Sequence, residues 1–254
     1  MPRAVATSAG ERPGHALRAA GVDRAFEGVR ALQDVTLALR REEIVGLIGP
    51  NGAGKTTLIN VITGFDRPTE GVVELEGRDV TRWTAARRAG AGLARTFQHG
   101  HLFGGLSVRE NVEVAALGTG ARAREARERA GELLAALGLA DRAERPAGVL
   151  GHGDQRKLGV ARALATRPRF VLLDEPAAGL AEAEVPALAA VVRSVRDEHE
   201  AGVLLVDHNM PLVMAVCDRI HVLDQGRSVA EGVPEEVRGN PDVVRAYLGE
   251  TTGG

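Results

Sequence analysis

The clearest chemistry in the chain sits in Gly49-Pro50-Asn51-Gly52-Ala53-Gly54-Lys55-Thr56-Thr57. This segment fits the pattern G-x-x-x-x-G-K-[ST]. It lies between a compact apolar run, Glu43-Ile44-Val45-Gly46-Leu47-Ile48, and a stretch from Thr57 that reads as a helix. Glycines at this spacing let successive backbone N–H groups turn inward and form a nest for an anion. A helix that starts there points its positive end at the same anion. Lys55 then reaches the β- and γ-phosphates of a nucleotide, and the Thr56 hydroxyl ligates Mg²⁺. The cofactors expected are ATP and Mg²⁺.

A second apolar run, Phe170-Val171-Leu172-Leu173-Asp174-Glu175-Pro176, ends in two acids. Asp174, at the carboxyl end of a buried strand, suits the Mg²⁺ shell. Glu175, one residue on, is placed to orient or polarise an attacking water. The plain alternative is a pair of strand-end acids capping a helix, and the phosphate loop upstream weighs against it. Three further stretches are weak taken singly: Arg95-Thr96-Phe97-Gln98, Leu150-Gly151-His152-Gly153-Asp154-Gln155-Arg156, and Leu205-Val206-Asp207-His208. A lone strand-end histidine is more often structural than functional. The order of all five stretches along the chain is the specific feature.

These residues need elements to hold them. The expected body is α/β, with buried strands at 44–48, 170–174 and 203–207 alternating with helices, hence a mostly parallel sheet. Residues 17–41 read as strand-like pieces with a turn at Glu27-Gly28. Residues 71–77 alternate like an exposed antiparallel strand, and 219–230 read as a late hairpin. Residues 107–167 are rich in Ala, Arg, Glu and Leu and read as helical. Within them Ala126, Ala130, Leu133, Leu134 and Leu137 share one helical face, with Glu125 and Arg129 as an i,i+4 pair on the other side. The expectation is a P-loop NTPase core with an antiparallel β part and an inserted helical subdomain at about 100–167. Residues 1–16 are expected to be a mobile tail, and 17–254 the domain.

Composition narrows the class. The chain has 254 residues, 44% apolar and 26% charged, enough for a core and a globular surface. Its 32 basic and 34 acidic residues give a net charge of −2, which argues against a nucleic-acid partner. No uninterrupted apolar run exceeds about eight residues, against roughly 20 for a bilayer span. The N-terminal residues have too short an apolar stretch for a signal peptide, so a cytoplasmic protein is expected. The single cysteine, Cys217, reads as a small buried hydrophobe.

The order of motifs resembles the nucleotide-binding subunit of ATP-binding cassette (ABC) transporters, over residues 17 to 249. It is most similar to the branched-chain amino-acid import branch. The stretches that carry this are LIGPNGAGKTTLINVITGF, GLARTFQ followed by HLFGGLSVRENV, DEPAAGL, DHNMPLVMAVCDRI and NPDVVRAYLGE. The resemblance implies an ATPase that powers a membrane importer. Phe26 matches the aromatic that stacks on adenine, with core packing as its alternative. Gln98 matches a loop glutamine that touches Mg²⁺ or water and senses the membrane subunit. Residues 150–155 match the signature loop, which closes on a γ-phosphate held by a partner subunit. His208 matches a γ-phosphate contact. Trp83 is assigned to packing, and His99 and His101 to the surface rather than a metal site.

The chain departs from the family pattern on the partner-facing side. The common signature Leu-Ser-Gly-Gly-Gln has Gly151 for serine, His152 for glycine and Asp154 for glutamine. After DEPAAGL the branch usually has Asn or Asp, and here Ala181 stands there, followed by Glu182. The expected partners are a second ATPase subunit, as a heterodimer rather than a homodimer, two integral membrane permeases and, indirectly, an extracytoplasmic binding protein. The expected place is the inner face of the cell membrane, peripherally bound. Two rivals remain: a cassette ATPase with a cofactor-assembly or maintenance role, and an importer of urea, amides or aromatic acids.

Overall fold

The computed structural model describes residues 16–96 and 102–248. In chain order the elements are β1 (Ala16–Phe26), β2 (Val29–Arg40), β3 (Ile44–Ile48), α1 (Lys55–Thr63), β4 (Glu70–Leu75), β5 (Arg78–Asp79), α2 (Ala85–Gly90), β6 (Leu93–Arg95), α3 (Val108–Gly118), α4 (Ala123–Ala136), α5 (His152–Ala165), β7 (Phe170–Asp174), α6 (Val185–Asp197), β8 (Gly202–Val206), α7 (Met210–Val216), β9 (Arg219–Asp224), β10 (Arg227–Gly232), α8 (Pro234–Arg238) and α9 (Pro241–Leu248). Ala16, expected as the end of a tail, is the first residue of β1 and pairs with Arg40. The rest of the expected tail lies outside the described residues.

The apolar runs at β3, β7 and β8 become central strands because both of their faces are covered. Successive side chains point to opposite faces. Ile44 and Ile48 of β3, Val171 and Leu173 of β7, and Val203 and Leu205 of β8 enter the core shared with the helices. Val45 and Leu47, Phe170 and Leu172, and Leu204 and Val206 enter the core shared with the other sheet. The strand order is β10-β9-β3-β8-β7-β6, parallel except for the β9–β10 hairpin. The second sheet, β2-β1-β4-β5, is antiparallel, with the β1–β2 turn at Glu27-Gly28. An α/β body with an antiparallel β part is therefore present.

The helical block is built from α3, α4 and α5. Ser107 starts α3 with a capping box: its Oγ accepts from the Glu110 N–H at 3.1 Å and its own N–H donates to Glu110 Oε2 at 2.7 Å. Asn111 is fully buried and closes the preceding loop, accepting from the Phe103 N–H and donating to the Phe103 and Ser107 carbonyls. The apolar face of α4 is buried as its spacing predicts. The Glu125–Arg129 pair also forms, at 2.6 Å, but Arg129 is not on a solvent face. Its side chain is only 10% exposed, and it donates to the Ala165 carbonyl at the end of α5. A terminal carbonyl of one helix has recruited the cation of another.

One buried charge holds α1 from behind. Arg88, on α2, has no exposed surface. Its guanidinium donates to the Val61 and Ile62 carbonyls in the last turn of α1 and to Thr81 O at 3.0 Å. Burial pulls its pKa down to about 10, with Asp79 acting in the opposite direction. It remains charged at neutral pH and caps the negative end of a helix whose other end is the phosphate loop. Replacing Arg88 by Ala leaves those carbonyls unpaired and is expected to cost about 3 kcal/mol of stability. The urea midpoint should fall, and Arg88→Lys should lie between the two. An unchanged midpoint for Arg88→Ala would rule out this capping role.

Candidate functional site

Register gathers the chemistry. Leu47 of β3 pairs with Val206 of β8, and Val206 pairs with Asp174 of β7. The phosphate loop follows β3, Glu175 follows Asp174, and Asp207-His208 follows β8. All three segments therefore leave the carboxyl edge of adjacent parallel strands, where such sheets bind ligands.

The loop backbone is held from behind, and within it the Ala53 N–H donates to Pro50 O at 3.2 Å. Gly54 has φ 103° and is the N-cap of α1, and a Cβ there would stand 2.7 Å from the Ala31 carbonyl oxygen. Gly49 has φ 150°, and a Cβ there would stand 2.0 Å from Leu223 O. Neither position accepts a side chain without moving backbone. No side chain caps α1 and no acid lies in its first turn, so nothing on the helix itself competes with an anion there. Lys55 Nζ donates to the Gly49 and Pro50 carbonyls at 2.6 and 2.8 Å. The ammonium thus lies over the loop. Gly49, Pro50 and Ala53 are buried, Gly54, Lys55 and Thr57 are half-buried, and Asn51, Gly52 and Thr56 are exposed.

Asp174 and Glu175 differ in environment. Asp174 is mostly buried and accepts from Arg95 Nη2 at Oδ2, at 2.8 Å. Glu175 has φ 47°, a left-handed backbone that costs a non-glycine residue about 1–2 kcal/mol. Its N–H donates to Val206 O at 2.7 Å, which holds that conformation. Asp207 is buried: its Oδ2 accepts from the Ala177 N–H and its Oδ1 from the Asn209 N–H, each at 2.8 Å. It pins the turn after Glu175 to the end of β8. His208 is 70% exposed, with Nδ1 3.9 Å from Asp207 Oδ1. Asp207 and Arg95 were not singled out from the sequence. The signal for Asp207 was an acid ending a buried strand, the same signal that marked Asp174.

The signature residues lie elsewhere. Gly151 is the N-cap of α5 and provides no side-chain acceptor. Asp154 pairs with Arg142 at 3.1 Å, and Gln155 donates to Leu150 O at 2.9 Å. Gly151, His152, Gly153 and Asp154 border a hollow whose far wall is Leu180, Glu184 and Leu188, with no phosphate-loop residue in its lining. Ala181 donates its N–H to Glu184 Oε2 at 2.9 Å and has no side-chain acceptor to offer. Arg156 ties the two parts through Ala178 O at 2.7 Å. One chain thus brings the phosphate loop, Asp174, Glu175 and His208 to one edge and holds the signature apart. Gln98, His99 and His101 lie outside the described residues.

Phe26 ends β1 at the tip of the hairpin whose return strand runs past Gly54 at Ala31. Its ring is 43% exposed, and the Arg24 guanidinium lies 4.2 Å from the ring centroid. Arg24 is itself fixed by Asp66. An exposed ring backed by a fixed cation is not a core residue. Trp83, in contrast, packs on the core between the sheets. Cys217 is buried above Gly46, where a Cβ would come within 2.9 Å of its sulfur. Burial first, and Asp218 second, push its thiol up to about 12, so it stays protonated.

The donor set suits Mg²⁺. Thr56 and Asp174 provide hard oxygens, and the described residues contain no group of three or more His, Cys, Asp or Glu that could hold a metal. Mg²⁺ needs few protein ligands, since phosphate and water oxygens fill the rest of its shell.

Comparison with known proteins agrees with this geometry. Residues 32–178 match the ABC transporter family, and residues 227–251 match the branched-chain amino acid ATP-binding cassette transporter family. The chain is 45% identical to the high-affinity branched-chain amino acid transport ATP-binding protein LivG of Salmonella typhimurium, over 91% of this chain and 96% of that one. It is 42% identical to the corresponding protein BraF of Pseudomonas aeruginosa, over 92% and 98%. The crystal structure of an ATP-binding cassette of an ABC transporter in its ADP conformation superposes with a TM-score of 0.84 at 30% identity, over 92% of this chain and 99% of that one.

Two outcomes follow from the site. Glu175→Gln should bind ATP nearly as the parent does and turn over at least about a hundredfold more slowly, whereas Lys55→Ala should lose binding. Normal hydrolysis by Glu175→Gln would remove that carboxylate from the reaction. Phe26→Ala should weaken ATP and GTP alike, by about 1–3 kcal/mol, because stacking is indifferent to the base edge. Equilibrium titration with a fluorescent nucleotide measures this, and unchanged affinity would return Phe26 to a packing role.

Proposed function

The chain belongs to the ABC transporter family, binds ATP with Mg²⁺ and hydrolyses it, and from that premise we propose that it powers import of branched-chain amino acids through separate membrane chains. The observation that carries the substrate is the match of residues 227–251 to the branched-chain amino acid cassettes, beside the identity to LivG and BraF. Among the described residues no helix is long and apolar enough to cross a membrane; the proposed place, peripheral on the inner face of the cell membrane, is supported by the likeness to transport ATP-binding proteins.

In the proposed reaction Phe26 stacks on adenine. The N–H groups of the loop between Asn51 and Thr57, with Lys55, hold the β- and γ-phosphates. Thr56 and Asp174 hold Mg²⁺, which offsets phosphate charge when bound. Glu175 accepts a proton from water as that oxygen attacks the γ-phosphorus and the bond to the bridging oxygen breaks, leaving ADP and phosphate. His208 and Gln98 contact the γ-phosphate and the attacking water. The signature at 151–154, held away from its own phosphate loop, serves the nucleotide of a second subunit by presenting the N-terminus of α5.

The membrane partner has a place to dock. An apolar cleft of about 650 Å³ lies between the core and the helical block, lined by Phe65, Ala86, Leu93, Ala115, Ala163 and others. Phe65 is 60% exposed there. A helical segment of the permease fits such a groove. Two permeases and an extracytoplasmic binding protein complete the proposed importer.

The partner ATPase is proposed to be a different chain. Gly151 and Ala181 each lack a hydrogen-bonding group that a homodimer would lose at both sites, at about 1.5–3 kcal/mol per bond to a charged group. The isolated chain should therefore be mainly monomeric and a slow ATPase, and addition of a second, similar subunit with the permeases should raise turnover. Turnover measured against protein concentration, with and without that partner, tests this. Fast hydrolysis by a stable ATP-bound homodimer would sink it. Reconstituted vesicles should take up labelled leucine, isoleucine and valine, and preferential uptake of urea, amides or aromatic acids would replace the substrate.

A further inference from the structure

Arg95, the last residue of β6, is a charged group beside the site that the proposed reaction leaves without a role. Its side chain is 9% exposed. Nη2 donates to Asp174 Oδ2 at 2.8 Å, and Nη1 donates to Asn60 Oδ1 at 2.7 Å. Asn60 lies on α1, the helix that continues the phosphate loop. The same guanidinium stands 5.7 Å from the Phe65 ring centroid and lines the apolar cleft together with Phe65. One planar cation therefore touches the carboxylate assigned to Mg²⁺, the phosphate-loop helix and the wall of the cleft.

The geometry suits positioning rather than blockade. A carboxylate has about four acceptor positions on its two oxygens. The bond from Arg95 goes to Oδ2, and among the described residues no hydrogen bond reaches Oδ1. The cation can stay while Oδ1 serves a metal shell. Because the second arm is fixed by Asn60, the guanidinium plane is set, and with it the rotation of the Asp174 carboxylate. A lysine has no such fork and would hold the carboxylate only as a point charge.

We propose that Arg95 is a positioning residue that orients Asp174 for Mg²⁺ and couples the apolar cleft to the metal site. The inference rests on the assignment of Asp174 as a metal-holding residue. A partner that presses on Phe65 or on β6 moves the guanidinium and so changes metal affinity. Linkage requires the reverse as well: metal binding at Asp174 must alter the cleft. This gives the partner a route to the nucleotide that does not pass through the 97–101 segment.

The test uses the full chain saturated with a non-hydrolysable ATP analogue and Mn²⁺ as the probe for Mg²⁺, with free Mn²⁺ counted by electron paramagnetic resonance. Arg95→Ala should weaken Mn²⁺ binding about tenfold, the scale of one charge-assisted hydrogen bond. Arg95→Lys should fall between. Affinity for the nucleotide in EDTA should stay within about twofold of the parent, since Arg95 reaches the metal carboxylate and not the phosphate nest. For the cleft, Phe65→Trp places an indole beside the guanidinium, and its emission should shift when Mg²⁺ is added and stop shifting when Arg95→Ala is combined with it. A merely structural arginine would lower the unfolding midpoint and move none of these readings. Parent-like Mn²⁺ affinity in a folded Arg95→Ala protein, or an indole response that survives the substitution, overturns the inference. Should Arg95→Ala not fold, parent-like Mn²⁺ affinity in Arg95→Lys overturns it equally. Asp174→Asn separates the two levels. If it weakens Mn²⁺ and Arg95→Ala does not, the metal assignment stands and the positioning role falls. If Asp174→Asn binds Mn²⁺ like the parent, the metal assignment itself falls, and the inference with it.

Discussion

The in-register parallel pairing of β3, β8 and β7 is the constraint on which the site depends. It sets Leu47, Val206 and Asp174 in one row, so that the three segments leaving those strands emerge side by side. A slip of one residue would turn every side chain of a strand to the other face. Here both faces are apolar, so alternation alone does not fix the register. The ends do. Asp207 accepts from the Ala177 N–H, and the Glu175 N–H donates to Val206 O, which ties β7 to β8 at the row that matters. The left-handed backbone of Glu175 is tolerated because these bonds leave its peptide one place to go.

The phosphate loop obeys a second rule. A loop that binds an anion through its N–H groups must not satisfy those groups itself, and must still be rigid. The structure meets the second demand by holding the loop through carbonyls and close approaches on its inner side, at Ala31, Leu223 and Lys55, and by anchoring α1 at its far end with Arg88. The positive end of the helix is left without a side-chain cap while its negative end is neutralised by Arg88. Arg129 does the same for α5, whose N-terminus carries the signature. The two helices whose N-termini are proposed to face phosphate are thus both capped by arginines contributed from other helices.

The departures in the signature take on local meaning in this setting. Asp154, in place of the common glutamine, is drawn to Arg142 within the helical block. A Cβ on Gly153 would meet Glu184 Oε1 at 2.7 Å, so a larger residue there requires the Glu184 side chain to move. The loop is packed against the start of α6 and linked to the turn after Glu175 by Arg156 and Ala178 O.

Much of this was legible in the sequence. Continuous apolar runs marked β3, β7 and β8, the glycine spacing marked the phosphate loop, and the face of α4 followed from its period, because each depends on neighbours along the chain. Glu125 and Arg129 were legible as a pair but not as a buried one, since what α4 packs against is set by α5. Arg88 and Arg95 could not be singled out at all. Arg88 sits in an arginine-containing stretch beside Arg87 with nothing local to separate the two, and Arg95 opens the stretch to Gln98, where the glutamine and not the arginine drew the reading. Their roles come from carbonyls and carboxylates far away in the chain, the last turn of α1 for one and the ends of β7 and α1 for the other. Sequence thus marked the groups proposed to bind phosphate, since that chemistry lives in one short loop and its helix. Only the tertiary structure decided which buried cations hold that loop in place, because a desolvated charge is defined by the partners that folding brings to it.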